Sequence, residues 1–185
     1  MSNKCDKNYE MEYKYLVDRL PLEFEYKKRY IEQRYFITND NKNKLLMSLT
    51  KLDSLDNINT FRVRKITEEK MYYILTLKSK GDLSREEYEV EISESDYNYL
   101  SEEVESEIIK NRYIISVNDF VFEFDEYLNL KEDLLTAEVE VDTLDEKLKL
   151  DIELIMKDVL KVDFTDVTNE KKYKNKYLAE TFGIK

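Results

Sequence analysis

Apolar and charged residues alternate along eight stretches of this chain, and this alternation limits what it can fold into. In the last stretch, for example, Ala137 and Val139 alternate with Glu138 and Glu140. A period of two places successive side chains on opposite faces of a β-strand. The stretches span 9–18, 29–37, 59–67, 70–80, 84–92, 111–117, 120–126 and 134–142. The pattern predicts an antiparallel sheet with one apolar face and one charged face.

Four other segments have the spacing of amphipathic helices and would cover the apolar face of that sheet. They span 40–54, 94–109, 143–160 and 169–182. Ser93 precedes the second segment and is a residue type that caps helix N-termini. The chain therefore belongs to the α+β class. With 185 residues, it fits one domain over 9–185, preceded by a polar and flexible tail over 1–8.

The charges on the polar strand faces are sorted by sign. Cations concentrate on the third and fourth stretches, whereas carboxylates concentrate on the first and the last. Charged strand faces are usually solvated, which favours a sheet with one wet face. Eight antiparallel strands also suffice to close a small barrel. A barrel with its polar faces inward would suit a highly charged anion and divalent metal ions. The alternation by itself allows both arrangements.

The composition excludes several kinds of chemistry. The chain has no His and one Cys, so Ser–His catalysis, Cys–His catalysis and multi-cysteine zinc sites are absent. A metal would have to be held by carboxylates, which favours Mg²⁺ or Mn²⁺. The net charge of −11 opposes binding to nucleic acid or anionic membranes. No apolar run is long enough for a signal core or a transmembrane helix, so we expect a cytoplasmic protein.

A series of short motifs follows one order along the chain. It begins with E-x-E-x-K over 10–14, which recurs over 23–27, and Y-I-E-Q-R-Y-F over 30–36. R-V-R, L-T-L-K, R-E-E-Y-E, K-N-R-Y, F-E-F-D-E and A-E-V-E follow, over 62–64, 75–78, 85–89, 110–113, 122–126 and 137–140. This ordered series resembles the CYTH domain, the triphosphate tunnel metalloenzyme family, from about residue 9 to 180. The family's spacing fits Lys14 and Tyr35, which favours the first E-x-E-x-K copy.

The resemblance implies an eight-stranded antiparallel closed β-barrel, a tunnel that binds triphosphates, with helices packed outside. It implies that Mg²⁺ or Mn²⁺ is held by Glu10, Glu12, Asp125, Glu138 and Glu140. It implies that phosphate oxygens are bound by Lys14, Arg62, Arg64, Lys78, Arg85, Lys110 and Arg112. Glu87 and Glu89 would support these cations, and the Lys14–Tyr35 pair would be the catalytic base. Arg34 replaces a family glycine and could fill space or contact phosphate.

The leading functional hypothesis is a metal-dependent hydrolase of inorganic tripolyphosphate or a related triphosphate. The closing Thr168, Tyr173, Asn175 and Leu178-Ala179 pattern resembles the bacterial inorganic triphosphatase type. Alternatives are a class IV adenylyl cyclase, a nucleoside or thiamine triphosphatase, a non-catalytic polyphosphate or nucleotide binder, and a purely structural domain. The expected partner is a small triphosphate such as tripolyphosphate, ATP or thiamine triphosphate. Either a monomer or a homodimer is compatible with the sequence.

Overall fold

The chain alternates between long strands and short helices. The computed structural model describes residues 5–81 and 85–183, without the side chains of residues 8–10. The strands in this part are β1 (Asp6–Glu10), β2 (Glu12–Val17), β3 (Lys27–Phe36), β4 (Ile58–Thr67), β5 (Met71–Ser79), β6 (Arg85–Ile92), β7 (Val104–Val117), β8 (Phe120–Tyr127), β9 (Leu135–Glu140) and β10 (Phe164–Asp166). The helices are α1 (Asp40–Thr50), α2 (Glu94–Leu100), α3 (Glu146–Leu154) and α4 (Asn175–Phe182). A π-helical turn over Ile155–Val159 extends α3, and a 3₁₀ turn over Lys171–Tyr173 precedes α4.

All ten described strands form one antiparallel sheet, in the order β1-β6-β5-β4-β3-β7-β8-β9-β2-β10. The predicted α+β class is confirmed. The predicted eight-stranded closed barrel is wrong, because this sheet has ten strands and is not closed. The stretch predicted as one strand over 9–18 is interrupted at Met11. Its first half pairs with β6, whereas β2 pairs with β9 on one edge and with β10 on the other. The edge of β2 that closure would require is therefore occupied.

The sheet nevertheless curves around a cavity. Side chains from eight strands, β2 to β9, line a single cavity of about 1190 Å³. Because only Met11 separates β1 from β2, the chain itself joins regions that are far apart in the strand order. The charged face predicted by the alternation therefore faces this cavity, and the apolar face points outward.

The described residues form three hydrophobic clusters. In two of them helices cover the apolar face of the sheet, and the third lies on the cavity face. In the first cluster, Ile152 of α3 and Met156 of the π-helical turn pack with strand residues that include Phe122. Leu46 of α1 and Leu100 of α2 pack in a second cluster with residues of β4, β5 and β6. The third cluster joins Leu178 and Ala179 of α4 to three strand residues of the cavity face, Tyr35, Ile108 and Tyr127. The last helix therefore packs against residues of the cavity face.

The segment predicted as a helix over 94–109 folds differently. Ser93 does cap α2, because its side chain accepts a hydrogen bond from the Asp96 backbone N–H. The helix ends at Leu100, however, and the 14-residue strand β7 begins at Val104. Strand β7 pairs with β3 between Val104 and Ile114 on one edge and with β8 between Lys110 and Val117 on the other. This long-range pairing overrides the local helical pattern.

The remaining predicted boundaries of strands and helices differ from the observed ones by a few residues. The predicted tail over 1–8 overlaps β1, whose described backbone starts at Asp6. The short strand β10 was not predicted. Among the described helices, none combines the length and the apolar character needed to cross a membrane.

Candidate active site

The cavity concentrates the positive charge of an acidic protein. Ten Lys or Arg and ten Asp or Glu residues line its described wall, whereas the whole chain has a net charge of −11. The surplus of negative charge therefore lies on the rest of the chain. All seven cations predicted to bind phosphate line the cavity: Lys14, Arg62, Arg64, Lys78, Arg85, Lys110 and Arg112. They come from five different strands.

The first ion-pair cluster is buried between β2, β7, β8 and β9. Glu138 accepts from Lys14 Nζ at 2.6 Å and from Arg112 Nη2 at 2.7 Å. Asp125 accepts from Lys110 Nζ at 2.5 Å, and from Arg112 Nε and Nη2 at 2.7 Å each. The Arg112 guanidinium thus binds Asp125 in a two-pronged arrangement that fits a planar fork. All five residues are at most 8% exposed.

Their neighbours shift the pKa values of the two buried lysines in opposite directions. Burial opposes charge on Lys14, but Glu138, Tyr127 and Glu12 together outweigh it and raise the pKa of the ammonium. Burial and the positive charge of Arg112 lower the pKa of Lys110 to about 8, because Asp125 and Glu138 offset only part of their effect. At neutral pH, Lys14 is therefore a firmly protonated donor, and Lys110 is close to its titration range.

A second cluster connects β4, β5 and β6. Arg62 Nη2 lies 3.2 Å from Glu87 Oε1 and 3.4 Å from Glu89 Oε1. Arg64 donates to Glu89, and Lys78 Nζ lies 3.0 Å from Glu87 Oε2. Burial opposes ionisation of Glu89, but Arg64 and Arg62 outweigh it and lower its pKa to about 2. Glu87 and Glu89 thus hold the predicted phosphate-binding arginines in place.

Tyr35 lies in the same cavity as Lys14. Its phenol oxygen accepts a hydrogen bond from Gln33 Nε2 at 2.7 Å. Burial raises the pKa of Tyr35, and the nearby charges of Arg62 and Lys14 offset only part of that rise. At neutral pH, both members of the predicted base pair therefore carry their protons.

The predicted metal ligands fall into two groups. Glu12 lies directly opposite Glu140 across the β2–β9 pair, and Glu138 lies one position further along the same face, opposite Lys14. Directly opposed like charges repel, so a divalent cation would stabilise Glu12 and Glu140. Mg²⁺ needs only one or two protein carboxylates when phosphates and water complete its oxygen shell. This pair therefore fits the predicted metal.

The other predicted ligands are less suited to a metal. Asp125 is fully buried and engaged by Lys110 and Arg112, so it orients these cations. The side chain of Glu10 lies outside the described residues. Within residues 5–81 and 85–183, no three carboxylate or thiol groups come close enough to hold a metal together. A metal here would therefore depend on oxygens from its ligand.

The C-terminal segment fixes the backbone around Lys14. Thr168 Oγ1 accepts a hydrogen bond from the Lys14 N–H at 3.0 Å, and the Val167 N–H donates to the Lys14 carbonyl at 2.9 Å. Asn175 accepts from the Tyr127 hydroxyl at 2.6 Å. The Thr168 and Asn175 positions noted in the sequence thus have structural roles beside the cavity.

Two residues differ from expectation. Arg34 lies on the face of β3 opposite to Gln33 and Tyr35, where it binds Glu107 at 2.6 Å and stacks over Tyr97. It is therefore not a cavity residue. Glu123 was not predicted as a site residue, yet it lines the cavity and accepts from Arg112. The alternation could have identified it, because Glu123 shares a strand face with Asp125.

Together, the fold and the site define an α+β protein in which a curved antiparallel sheet encloses a cavity rich in ion pairs. Several solved structures share this fold. A proposed adenylyl cyclase from Hippeastrum, described as having a dominant triphosphatase activity, aligns with a TM-score of 0.56 and 16% identity over 84% of this chain and 89% of its own. A proposed adenylate cyclase from Vibrio parahaemolyticus aligns with a TM-score of 0.56 and 16% identity, over 92% of this chain and 97% of its own. The PH1819 protein from Pyrococcus horikoshii aligns with a TM-score of 0.55 and 20% identity, over 84% of this chain and 93% of its own.

These neighbours are proteins of the CYTH type, and the chain has the CYTH-type fold. At this level of identity, the similarity concerns the fold. No family model and no curated protein matches the sequence.

Proposed function

We propose that this protein is a metal-dependent hydrolase of inorganic tripolyphosphate or of a related triphosphate. The observation that carries the proposal is the arrangement of seven cationic side chains from five strands around one cavity. The directly opposed carboxylates Glu12 and Glu140 lie in the same cavity. A triphosphate has several negative charges along a short chain, so it matches a lining of this kind. The triphosphatase activity described for the Hippeastrum protein of the same fold supports this choice.

In the proposed mechanism, cations of the cavity bind and orient the phosphate chain. The planar forks of Arg62 and Arg64 bind phosphate oxygens in pairs, Arg112 donates through Nη1, and Lys14 donates as an ammonium ion. A bound phosphate group would replace carboxylates as the partner of these cations. Mg²⁺ or Mn²⁺ held by Glu12 and Glu140 would offset negative charge on the phosphate oxygens as water attacks the phosphorus and the anhydride bond breaks. Because Lys14 and Tyr35 are protonated here, we assign both to phosphate binding, and their role as a base stays a prediction.

A cyclase that converts ATP to cyclic AMP and pyrophosphate is the second candidate. The cavity, at about 1190 Å³, exceeds the usual 300–1,000 Å³ of small-molecule sites. Phe120, Leu148 and Tyr177 add apolar and aromatic surface to its lining, which could contact a nucleoside. The neighbours from Hippeastrum and Vibrio parahaemolyticus are both named as adenylyl cyclases.

The test is to measure phosphate release from tripolyphosphate with Mg²⁺ and with Mn²⁺, and cyclic AMP formation from ATP in parallel. We expect metal-dependent phosphate release that Glu12→Gln abolishes. Glu126→Gln is the matched control, because Glu126 lies on the opposite face of β8 and accepts from Asn111. Cyclic AMP as the main product would favour the cyclase. Tight tripolyphosphate binding without turnover of either substrate would favour a binding module and overturn the proposal.

A further inference from the structure

Arg112 donates hydrogen bonds to three carboxylates at the cavity wall. It donates to Asp125 through Nε and Nη2, to Glu138 through Nη2 and to Glu123 through Nη1. Asp125 and Glu138 are 0% and 5% exposed, respectively. Their removal would leave other buried cations without partners. The side chain of Glu123 is 21% exposed to the cavity and has no such structural task.

The charge of Glu123 affects the charge balance of the buried cluster around Arg112. The buried cluster contains three cations, Lys14, Lys110 and Arg112, and two carboxylates, Asp125 and Glu138. Without Glu123 the cluster would carry one net positive charge toward the cavity. Glu123 brings it to neutrality. It does so at the nitrogen of Arg112 that the buried carboxylates leave available.

The position of Glu123 in the sheet gives it no favourable strand neighbour. It lies directly opposite Glu138 in the β8–β9 register. Two opposed carboxylates destabilise a sheet unless a cation lies between them, and Arg112 contacts both. Glu123 therefore depends on Arg112 for its placement, and its carboxylate competes with any other anion that binds Nη1.

We propose that Glu123 is a positioning residue that acts as an internal competitor for Arg112: it holds the guanidinium toward β8 and lowers the affinity of the cavity for polyphosphate anions. A polyphosphate that approaches Arg112 at Nη1 competes there with the Glu123 carboxylate. The residue thus sets how strongly an anion is held and how readily a phosphate product leaves. This inference rests on the proposed function only for the identity of the anion.

The test is calorimetric titration of the full-length protein, without divalent metal, with tripolyphosphate and with inorganic sulfate. Sulfate serves as a probe because its binding requires only the cationic side chains of the cavity and no metal ion. Glu123→Gln keeps the shape of the side chain and removes its charge. We expect it to bind both anions about tenfold more tightly, which corresponds to about 1.4 kcal/mol. Glu123→Asp should retain most of the competition. Glu126→Gln, on the outer face of β8, should bind like the unmodified protein.

A kinetic experiment separates positioning from a merely structural role. Glu123→Gln should lower KM for tripolyphosphate by a similar factor without raising kcat, because product release becomes slower. Its circular dichroism spectrum should match that of the unmodified protein.

The two proposals fail in different ways. Unchanged or weaker binding of both anions by Glu123→Gln overturns the role of Glu123, even if tripolyphosphate is hydrolysed. Tighter sulfate binding by the variant, with no hydrolysis of tripolyphosphate by the unmodified protein, supports the competitor and overturns the hydrolase. If neither anion binds to any of the proteins, both proposals are wrong.

Discussion

Substitution of Asp125 by Asn tests whether this carboxylate anchors the buried cations or holds a metal. Asp125 is fully buried and makes three hydrogen bonds of 2.5–2.7 Å with Lys110 and Arg112. Asn has nearly the same shape, but it carries no charge and offers only one acceptor atom. In Asp125→Asn, one amide nitrogen would face a cationic donor, and Lys110 would repel Arg112 without a carboxylate between them.

The size of the effect follows from this burial. Removing one partner of a buried ion pair typically costs about 3–5 kcal/mol, because the remaining charge has no compensation. For a domain of this size, such a loss lowers the melting temperature by on the order of 10 °C. A residue that served only as a metal ligand would behave differently. Its neutralisation would leave the metal-free protein as stable as before or more stable.

The assay is thermal and urea unfolding, followed by circular dichroism, in buffer containing a chelator. Asp133→Asn is the matched control, because Asp133 is exposed in the loop between β8 and β9. We expect a loss of about 3–5 kcal/mol for Asp125→Asn and a change below about 0.5 kcal/mol for the control. If Asp125→Asn unfolds like the unmodified protein, the assignment of Asp125 as the anchor of Lys110 and Arg112 is refuted.

Three further predictions concern the cavity. Glu140→Gln should raise the Mg²⁺ concentration for half-maximal phosphate release at least about tenfold, measured by metal titration; an unchanged titration would remove Glu140 from the metal site. Arg64→Gln should weaken tripolyphosphate binding about 10–100-fold in calorimetry. Arg19→Gln should not, because Arg19 pairs with Glu23 at the surface, outside the cavity. Ionised Glu89 stabilises the fold above about pH 4.5, and this contribution of about 1–2 kcal/mol, reduced for partial exposure, is lost as the pH falls toward 2. Acid unfolding should therefore lose this part of its pH dependence in Glu89→Gln, and an identical pH profile would contradict the pairing of Glu89 with Arg64 and Arg62.

The alternation predicted the faces of the strands better than it predicted their partners. It indicated that Arg62 and Arg64 share one face of β4 and that Glu138 and Glu140 share one face of β9, and the structure agrees. A period of two fixes which way a side chain points, whatever the strand pairs with. The same pattern could not indicate that β10 would occupy the second edge of β2. This edge pairing depends on contact between β2 and β10, which are about 150 residues apart in the chain.

The roles of the carboxylates also required the structure. In the sequence, Glu123, Asp125 and Glu138 are equivalent acidic residues on strands. In the fold, Asp125 lies behind Lys110 and Arg112, Glu138 bridges Lys14 and Arg112, and Glu123 contacts Arg112 from the cavity. Burial and cross-strand register distinguish them, and neither is encoded locally.

The sequence by itself thus determined the α+β class and the charged strand faces, because these follow from side-chain alternation along single strands, and the family resemblance predicted seven of the cations that line the cavity. The tertiary structure alone decided that the sheet stays open, that the segment after α2 becomes β7, and which cation each carboxylate binds. These features arise from contacts between distant segments, where long-range strand pairing and the need to compensate buried charge outweigh local preference.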